Sequence, residues 1–346
     1  MTKAKGEHAA PDLRALTAWM AERVAGFAGP LSAEKFAVGQ SNPSYRLTTP
    51  GASYVMRCKP APQAELLPSA HAIEREYRVM AALAGGPVPV ARPLSLCEDE
   101  GVIGRAFYLM EYVAGRCFRD NALPGLVSSE RSAIFDEANR VLAAIHSIDP
   151  TRAGLADYGR PGEYFLRHIA RWSKQYRLAE TENIEAMNRL IDWLPANIPD
   201  DCGDTCRLVH GDFKLDNLIF HPSQPRVLAV LDWELSTLGH PFADFAYHCL
   251  MWHIAPGFLH GLAGLDLGSL GIPAEADYRR RYEQRTGLRL GKGWTFYLAY
   301  NFFRLAAICQ GIMKRALSGT ASSSEATSFG ANARVLADLG WRYARA

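Results

Sequence analysis

The sequence predicts an α+β fold: a small β-rich lobe followed by a larger, mainly helical one, changing character near residue 112. Three observations predict it. Short apolar and β-branched runs broken by turn residues dominate residues 34–59 and 90–113, and apolar residues recur at helical spacing through most of the chain beyond residue 127. At 346 residues the chain is long enough for two cores. Its 48% hydrophobic and 21% charged residues are the balance of an ordinary soluble protein.

Residues 11–27 place Leu13, Leu16, Met20, Val24 and Phe27 at helical spacing behind Pro11, an amphipathic first helix. "EKFAVGQSNPSYRLTTPGASYVMRCK" is cut by "GQSNP" and by "TPGA", where Pro50-Gly51 suits a type II turn, so three antiparallel strands are expected. "SAHAIEREYRVMAALAGG" returns to the helical period through Ile73, Tyr77, Met80, Ala81 and Leu83 and stops on a glycine pair. "VARPLSLCED" and "RAFYLMEYV" read as two more strands. Residues 1–112 are therefore expected to form a lobe of two helices on a five-stranded antiparallel sheet.

Residues 113–346 form the expected second lobe, with helices over 128–149, 163–178, 181–194, 274–286 and 294–317. The first opens on a Ser cap with a Glu soon after it. The Ser-rich stretch 318–333 reads as a mobile loop.

Charge and cysteines narrow the partners. A net charge of +2 carries no nucleic-acid signal. The most apolar long segment, residues 296–309, is interrupted by Asn301 and Arg304 and is too short to span a bilayer, so it reads as a buried helix and no membrane partner is expected. Seven cysteines and a start, "MTKAKGEHAAPDL", without the apolar core of a signal peptide point to a cytoplasmic protein with reduced thiols. Cys202 and Cys206 have no second Cys/His pair nearby, which argues against a metal site there. Residues 251–346 carry twelve basic against six acidic side chains, either a solvated face or an attraction for an anion. The oligomeric state is not set by the sequence.

The chemistry concentrates in "LVHGDFKLDN". His210, Asp212 and Asn217 form H-x-D-x4-N between an apolar entry and an apolar exit. Twenty residues after Asp212, at the end of the apolar run "VLAVL", comes Asp232. A hairpin of "NLIF", "HPSQP" and "RVLAVLD" would return Asp232 beside Asn217, giving two hard oxygens suited to Mg²⁺. Phosphoryl transfer needs those parts: a cradle for nucleotide phosphates, a cation on them, magnesium ligands, and a carboxylate orienting the attacking hydroxyl. Asp212 is expected to accept the substrate proton, with Asn217 and Asp232 on the metal.

"HGDFKLDN" and "LDWE" resemble the catalytic loop and metal-binding Asp of the aminoglycoside phosphotransferase and choline kinase superfamily, whose fold is protein-kinase-like. The resemblance covers nearly the whole chain, and it implies ATP bound between the two lobes. "GQSNPSYRL" resembles the phosphate loop, implying phosphate contacts from Gly39, Gln40, Ser41 and Asn42. "YVMRCK" resembles the third strand, where Arg57 and Lys59 point the same way. One of them is expected on the phosphates and paired with a carboxylate of the next helix. The choice favours Arg57, with Glu76 or otherwise Glu74. "FYLMEYVAGR" resembles the hinge, implying that Met110, Glu111 and Val113 present backbone groups to adenine. Lys214 is placed to neutralise the γ-phosphate. His210 and Asp244 are expected to be structural, the latter bonding the catalytic-loop backbone. Asp216 is expected to face solvent, and Glu234 either assists the metal or is a surface residue. "RWSKQY" and "FFRLAAICQGIMKRAL" resemble the kinase domains found fused to acyl-CoA dehydrogenases. That subgroup usually has an Asp where this chain has His240, so the role of that Asp does not transfer.

Eleven residues separate Asp232 from Asp244, too few for the polypeptide-binding segment of protein kinases, so a small-molecule hydroxyl acceptor is expected. Arg167, Arg171 and Lys174, on one helical face, favour an anionic acceptor such as a hydroxyacyl-CoA. The competing readings are an aminoglycoside, choline or sugar kinase, and a nucleotide-binding pseudokinase.

Overall fold

A computed structural model describes residues 11–36, 42–60, 72–160, 162–200, 205–320 and 325–346. They divide into two compact units.

The first unit holds the residues up to Arg116. Helix α1 (Leu13–Arg23) starts at Asp12, whose side chain accepts from the N–H groups of Arg14 and Ala15. Strands β1 (Ser32–Lys35), β2 (Ser44–Thr48) and β3 (Ser53–Cys58) follow, then α2 (Ile73–Leu83), β4 (Pro93–Cys97) and β5 (Phe107–Glu111). The five strands form one antiparallel sheet in the order β1-β2-β3-β5-β4. Thr49 N–H donates to the Ala52 carbonyl across Pro50-Gly51 and closes the β2–β3 turn. Leu16 and Met20 of α1 pack with Leu47, Met56, Phe107 and Leu109 of the sheet to make the core. Register matters here, because it puts Arg57 on one face of β3 and Met56 and Cys58 on the other.

The boundary is less simple than a cut at residue 112. Residues 219–222 and 228–234 also belong to the first unit, although they come from the second half of the chain. Arg116 and Phe220 exchange both backbone hydrogen bonds at 2.8 Å, and Val230 N–H donates to the Pro89 carbonyl. Gly115 allows that approach, since a Cβ there would lie 2.2 Å from the Phe220 oxygen. The strands concerned, β7 (Leu218–Phe220) and β8 (Val227–Val230), pair with each other.

The second unit is helical around one two-stranded ladder, β6 (Arg207–Val209) with β9 (Thr237–Gly239). Its helices are α3 (Ser128–His146), α4 (Tyr164–Ala179), α5 (Glu185–Ala196), α6 (Pro241–Cys249), α7 (Leu267–Leu270), α8 (Glu275–Thr286), α9 (Trp294–Leu317), α10 (Ala326–Gly330) and α11 (Ala333–Ala344). The 24-residue α9 is the central post, with α4, α5, α6, α10 and α11 packed on it. Asn301 fits inside this apolar helix because its amide donates to the carbonyls of Ala243 and Tyr297, both at 2.9 Å.

Two expectations need correction. Helix α3 has Val127 at its N-cap position with no side-chain cap, so Ser128 and Glu130 lie inside the first turn. Residues 318–333 are not all loop, for α10 lies within them and packs on α9. Among the described residues all the cysteines are free, and no helix is long and apolar enough to cross a membrane. Cys202 lies outside the described residues.

Candidate active site

In the first unit the site centres on Arg57. Its Nε lies 2.8 Å from Glu76 Oε2, an ion pair rather than a well-directed hydrogen bond, and its Nη2 donates to Asp232 Oδ1 at 2.8 Å and to Glu234 Oε2 at 3.3 Å. Glu76 is 1% exposed. Asn42 Nδ2 donates to its Oε1 at 2.9 Å and the Tyr108 hydroxyl to its Oε2 at 3.0 Å, so both oxygens of the buried carboxylate are held. The Asn42 side chain supports Glu76 from inside the unit; Gly39, Gln40 and Ser41 lie outside the described residues.

Lys59, just past β3, pairs with Glu74 at a partly exposed position, while Arg57 takes Glu76. Met110 is buried in the sheet between Val55 and Pro93. Glu111 uses its side chain on Arg92 and its N–H on the Arg92 carbonyl, while Val113 is half-buried just beyond the strand. Asp232 has φ of +64°, a left-handed conformation that Asp tolerates better than most residues. Glu234, left open by the sequence, is an Arg57 partner.

Burial pushes Glu76 up to about 7 despite the opposing pull of Arg57. A carboxyl whose pKa is higher folded than unfolded takes up protons on folding, so its contribution is greatest below pH 4.5 and fades as the pH rises through 7. At about 1.4 kcal/mol per unit, stability should decline by on the order of 3 kcal/mol across that window. Urea denaturation at several pH values should show this decline in the wild type and lose it in Glu76→Gln; a slope that survives the substitution would assign it to other groups.

In the second unit the H-x-D-x4-N turn follows β6. Asp244, on α6, accepts from the N–H of His210 at 2.7 Å and of Gly211 at 2.8 Å, and from His146 Nε2 at 3.2 Å. Burial alone would raise this carboxyl, but the hydrogen bond and charge of His146 hold it below its usual range. His210 is fully buried, and its Nδ1 accepts from the Asp212 N–H at 3.2 Å, a structural role. Gly211 has φ of +85°, and a Cβ there would meet the Leu235 carbonyl at 2.7 Å. Gly211→Ala is therefore expected to cost about 2 kcal/mol or more. Thermal denaturation checks it, and an unchanged midpoint would show that the turn can relax.

Asp212 points both oxygens at donors. The Tyr247 hydroxyl donates to Oδ1 at 2.6 Å, and Asn217 Nδ2 donates to Oδ2 at 3.1 Å and to the Asp212 carbonyl at 2.8 Å. Lys214 Nζ lies 3.6 Å from Asp212 Oδ2 and 3.3 Å from Asp216 Oδ2. Asp216 is thus half-buried and paired rather than solvent-facing, with burial raising its pKa. Arg304, from α9, donates to the Gly211 carbonyl at 2.6 Å and lies over the Tyr247 ring at 4.9 Å. His240 caps α6, its Nδ1 accepting from the Phe242 N–H at 3.3 Å.

Tyr247, Arg304 and His146 are site residues that sequence reasoning did not single out. Tyr247 carried a signal, standing three residues after Asp244 on one helix face. So did Arg304, a cation inside the buried stretch of α9. His146 carried none.

The sheet-plus-helix first unit and the H-x-D-x4-N turn of the second define a kinase-type phosphotransferase. Residues 32–294 match the phosphotransferase enzyme family, and the chain belongs to that family. A crystal structure of a protein from Ralstonia eutropha JMP134, named provisionally as an aminoglycoside phosphotransferase, is 60% identical, covers 97% of this chain and 99% of that one, and superposes with a TM-score of 0.90. Acyl-CoA dehydrogenase family member 10 of mouse is 50% identical over 318 residues, which are 91% of this chain but 29% of that protein. The chain thus spans under a third of that relative's length. A thermostable mutant of aminoglycoside phosphotransferase APH(4)-Ia, solved with ADP and hygromycin B, shares the fold at a TM-score of 0.60 and 15% identity, covering 90% of this chain and 94% of that one.

Proposed function

We propose that this chain moves the γ-phosphoryl group of ATP to a hydroxyl of a small anionic molecule, such as a hydroxyacyl group carried on coenzyme A. The observation that carries the reading is Asp212, whose carboxylate is held by Tyr247 and Asn217 as a base for a hydroxyl proton should be. Arg57 is assigned to the α/β-phosphates, backed by the buried Glu76. Lys214, Gly39, Gln40 and Ser41 are assigned to the phosphates as well, and the backbone of Met110, Glu111 and Val113 to adenine.

Asn217 and Asp232 are assigned to Mg²⁺. The residues fit it: both hydrogen bonds of the Asn217 amide are donated by Nδ2, which leaves Oδ1 as a hard acceptor, and Asp232 supplies a carboxylate. When bound, Mg²⁺ supplies charge neutralisation on the phosphates. Among the described residues no group of three or more His, Cys, Asp or Glu is placed to hold a metal ion.

The acceptor's charge is read from α4. Burial and the charges of Arg304, Arg171 and Arg167 lower His168 to about 4, so it stays neutral among three guanidiniums. The basic surplus of residues 251–346 supports this less than its size suggests, because Arg281 and Arg285 are paired with Asp136 and Arg334 with Glu182. The name of the mouse relative, a dehydrogenase of acyl-CoA, agrees with an acyl-CoA acceptor. ATP consumption measured against hydroxyacyl-CoAs, amino alcohols, sugars and aminoglycosides should single out the hydroxyacyl-CoAs. Turnover of cationic aminoglycosides with none of hydroxyacyl-CoA would reject the acceptor but leave the phosphotransferase.

A further inference from the structure

We propose that Tyr247 and Arg304 are positioning residues for the phosphoryl transfer, fixing the carboxylate of Asp212 in its reactive orientation. The inference rests on the reading of Asp212 as the base. Helix α6 presents two side chains to the catalytic turn from one face, three residues apart. Asp244 holds the backbone of His210 and Gly211, and Tyr247 holds the side chain of Asp212 through its hydroxyl at 2.6 Å from Oδ1. Burial first, then the neighbouring Asp212 charge, push the Tyr247 phenol well above its usual range, so it acts as a neutral donor.

Arg304 locks the arrangement from a second helix. Its guanidinium donates to the Gly211 carbonyl at 2.6 Å, one residue before Asp212, and covers the Tyr247 ring at 4.9 Å. Without these contacts the carboxylate would retain Asn217 and the more distant Lys214 on Oδ2, and could turn about its side-chain bonds. A base that wanders from its line to the hydroxyl loses rate without losing nucleotide affinity, and a misplacement of about 1 Å can cost about a hundredfold.

Tyr247→Phe removes only the hydroxyl, and Arg304→Lys keeps the charge but not the planar fork. Steady-state kinetics with the acceptor found in the panel should give kcat lowered at least about tenfold in Tyr247→Phe, with KM for ATP within about twofold of wild type and the urea midpoint unchanged. Arg304→Met should lose kcat in the same way, and Arg304→Lys should recover part of it. A kcat within about threefold of wild type in Tyr247→Phe overturns the proposal. So does a kcat loss matched by a rise in KM for ATP or by a fall in the urea midpoint, which would mark a structural residue. Asp212→Asn serves as the control: if that variant keeps its rate, the assignment of the base fails and this inference falls with it. If Asp212→Asn is inactive and Tyr247→Phe is not, only the positioning role is lost.

Discussion

Replacing Asp212 by Asn is expected to lower phosphoryl transfer by about a hundredfold to ten-thousandfold, the span that positioned general bases contribute. The loss should appear in kcat, since the substitution deletes proton-accepting capacity and little else. The fold should survive it. An Asn at 212 can still accept from the Asn217 amide through its oxygen, and the Tyr247 hydroxyl can rotate to accept from its NH₂. A change in denaturation midpoint equivalent to more than about 2 kcal/mol would show that Asp212 had been holding the turn as well. Near-normal turnover would remove Asp212 from the chemistry altogether.

The second large effect belongs to Arg57. Arg57→Met strips the cation from three carboxylates at once, those of Glu76, Asp232 and Glu234. Glu76 has side-chain exposure of 1% and keeps Asn42 and Tyr108 as neutral donors, so its charge is left buried and uncompensated. Breaking such a pair typically costs about 3–5 kcal/mol. The loss should be largest above pH 7, where Glu76 is ionised in the wild type, and smaller near pH 5, where the carboxyl is protonated. Urea denaturation at both pH values checks the size and the sign. An equal loss at both would mean that Arg57 acts through its packing rather than its charge.

How much of the molecule is legible in its sequence varies with what each feature depends on. The five strands and two helices of the first unit are readable because alternation and turn residues act locally, as at Pro50-Gly51. The pairing of Arg57 with Glu76 is favoured by the two-residue period of β3 and by the resemblance of that strand to its kinase counterpart. Its full set of partners is not, since Asp232 and Glu234 come from 175 and 177 residues away. Likewise the sequence shows "HGDFKLDN" as a rigid turn but not what makes it rigid. The holders are Asp244, Tyr247 and His146, and α3 and α6 bring them to the turn by packing that no local pattern encodes.

The failures have equally specific causes. The Ser cap expected at residue 128 gives way to a tertiary contact: the turn at Gly271 seats against Ser128, where a Cβ would be 2.1 Å from its Oγ. Arg131 then bonds the Leu270 carbonyl at 3.2 Å from inside the first turn. The Ser-rich stretch hides α10 because its composition is that of a loop, while packing on α9 makes it a helix. Arg304 reads in the sequence as an interruption of an apolar run, although a cation inside a buried helix already asks what it is bonded to.

We propose that phosphorus moves from ATP to a hydroxyl with Asp212 as the base. Phosphorus NMR of wild-type protein with ATP, Mg²⁺ and a hydroxyacyl-CoA follows the transfer directly. The γ-phosphate signal should decay as a phosphate-ester signal grows in step with ADP, and both changes should be abolished in Asp212→Asn. Growth of inorganic phosphate alone, or ester formation that persists in Asp212→Asn, would contradict it.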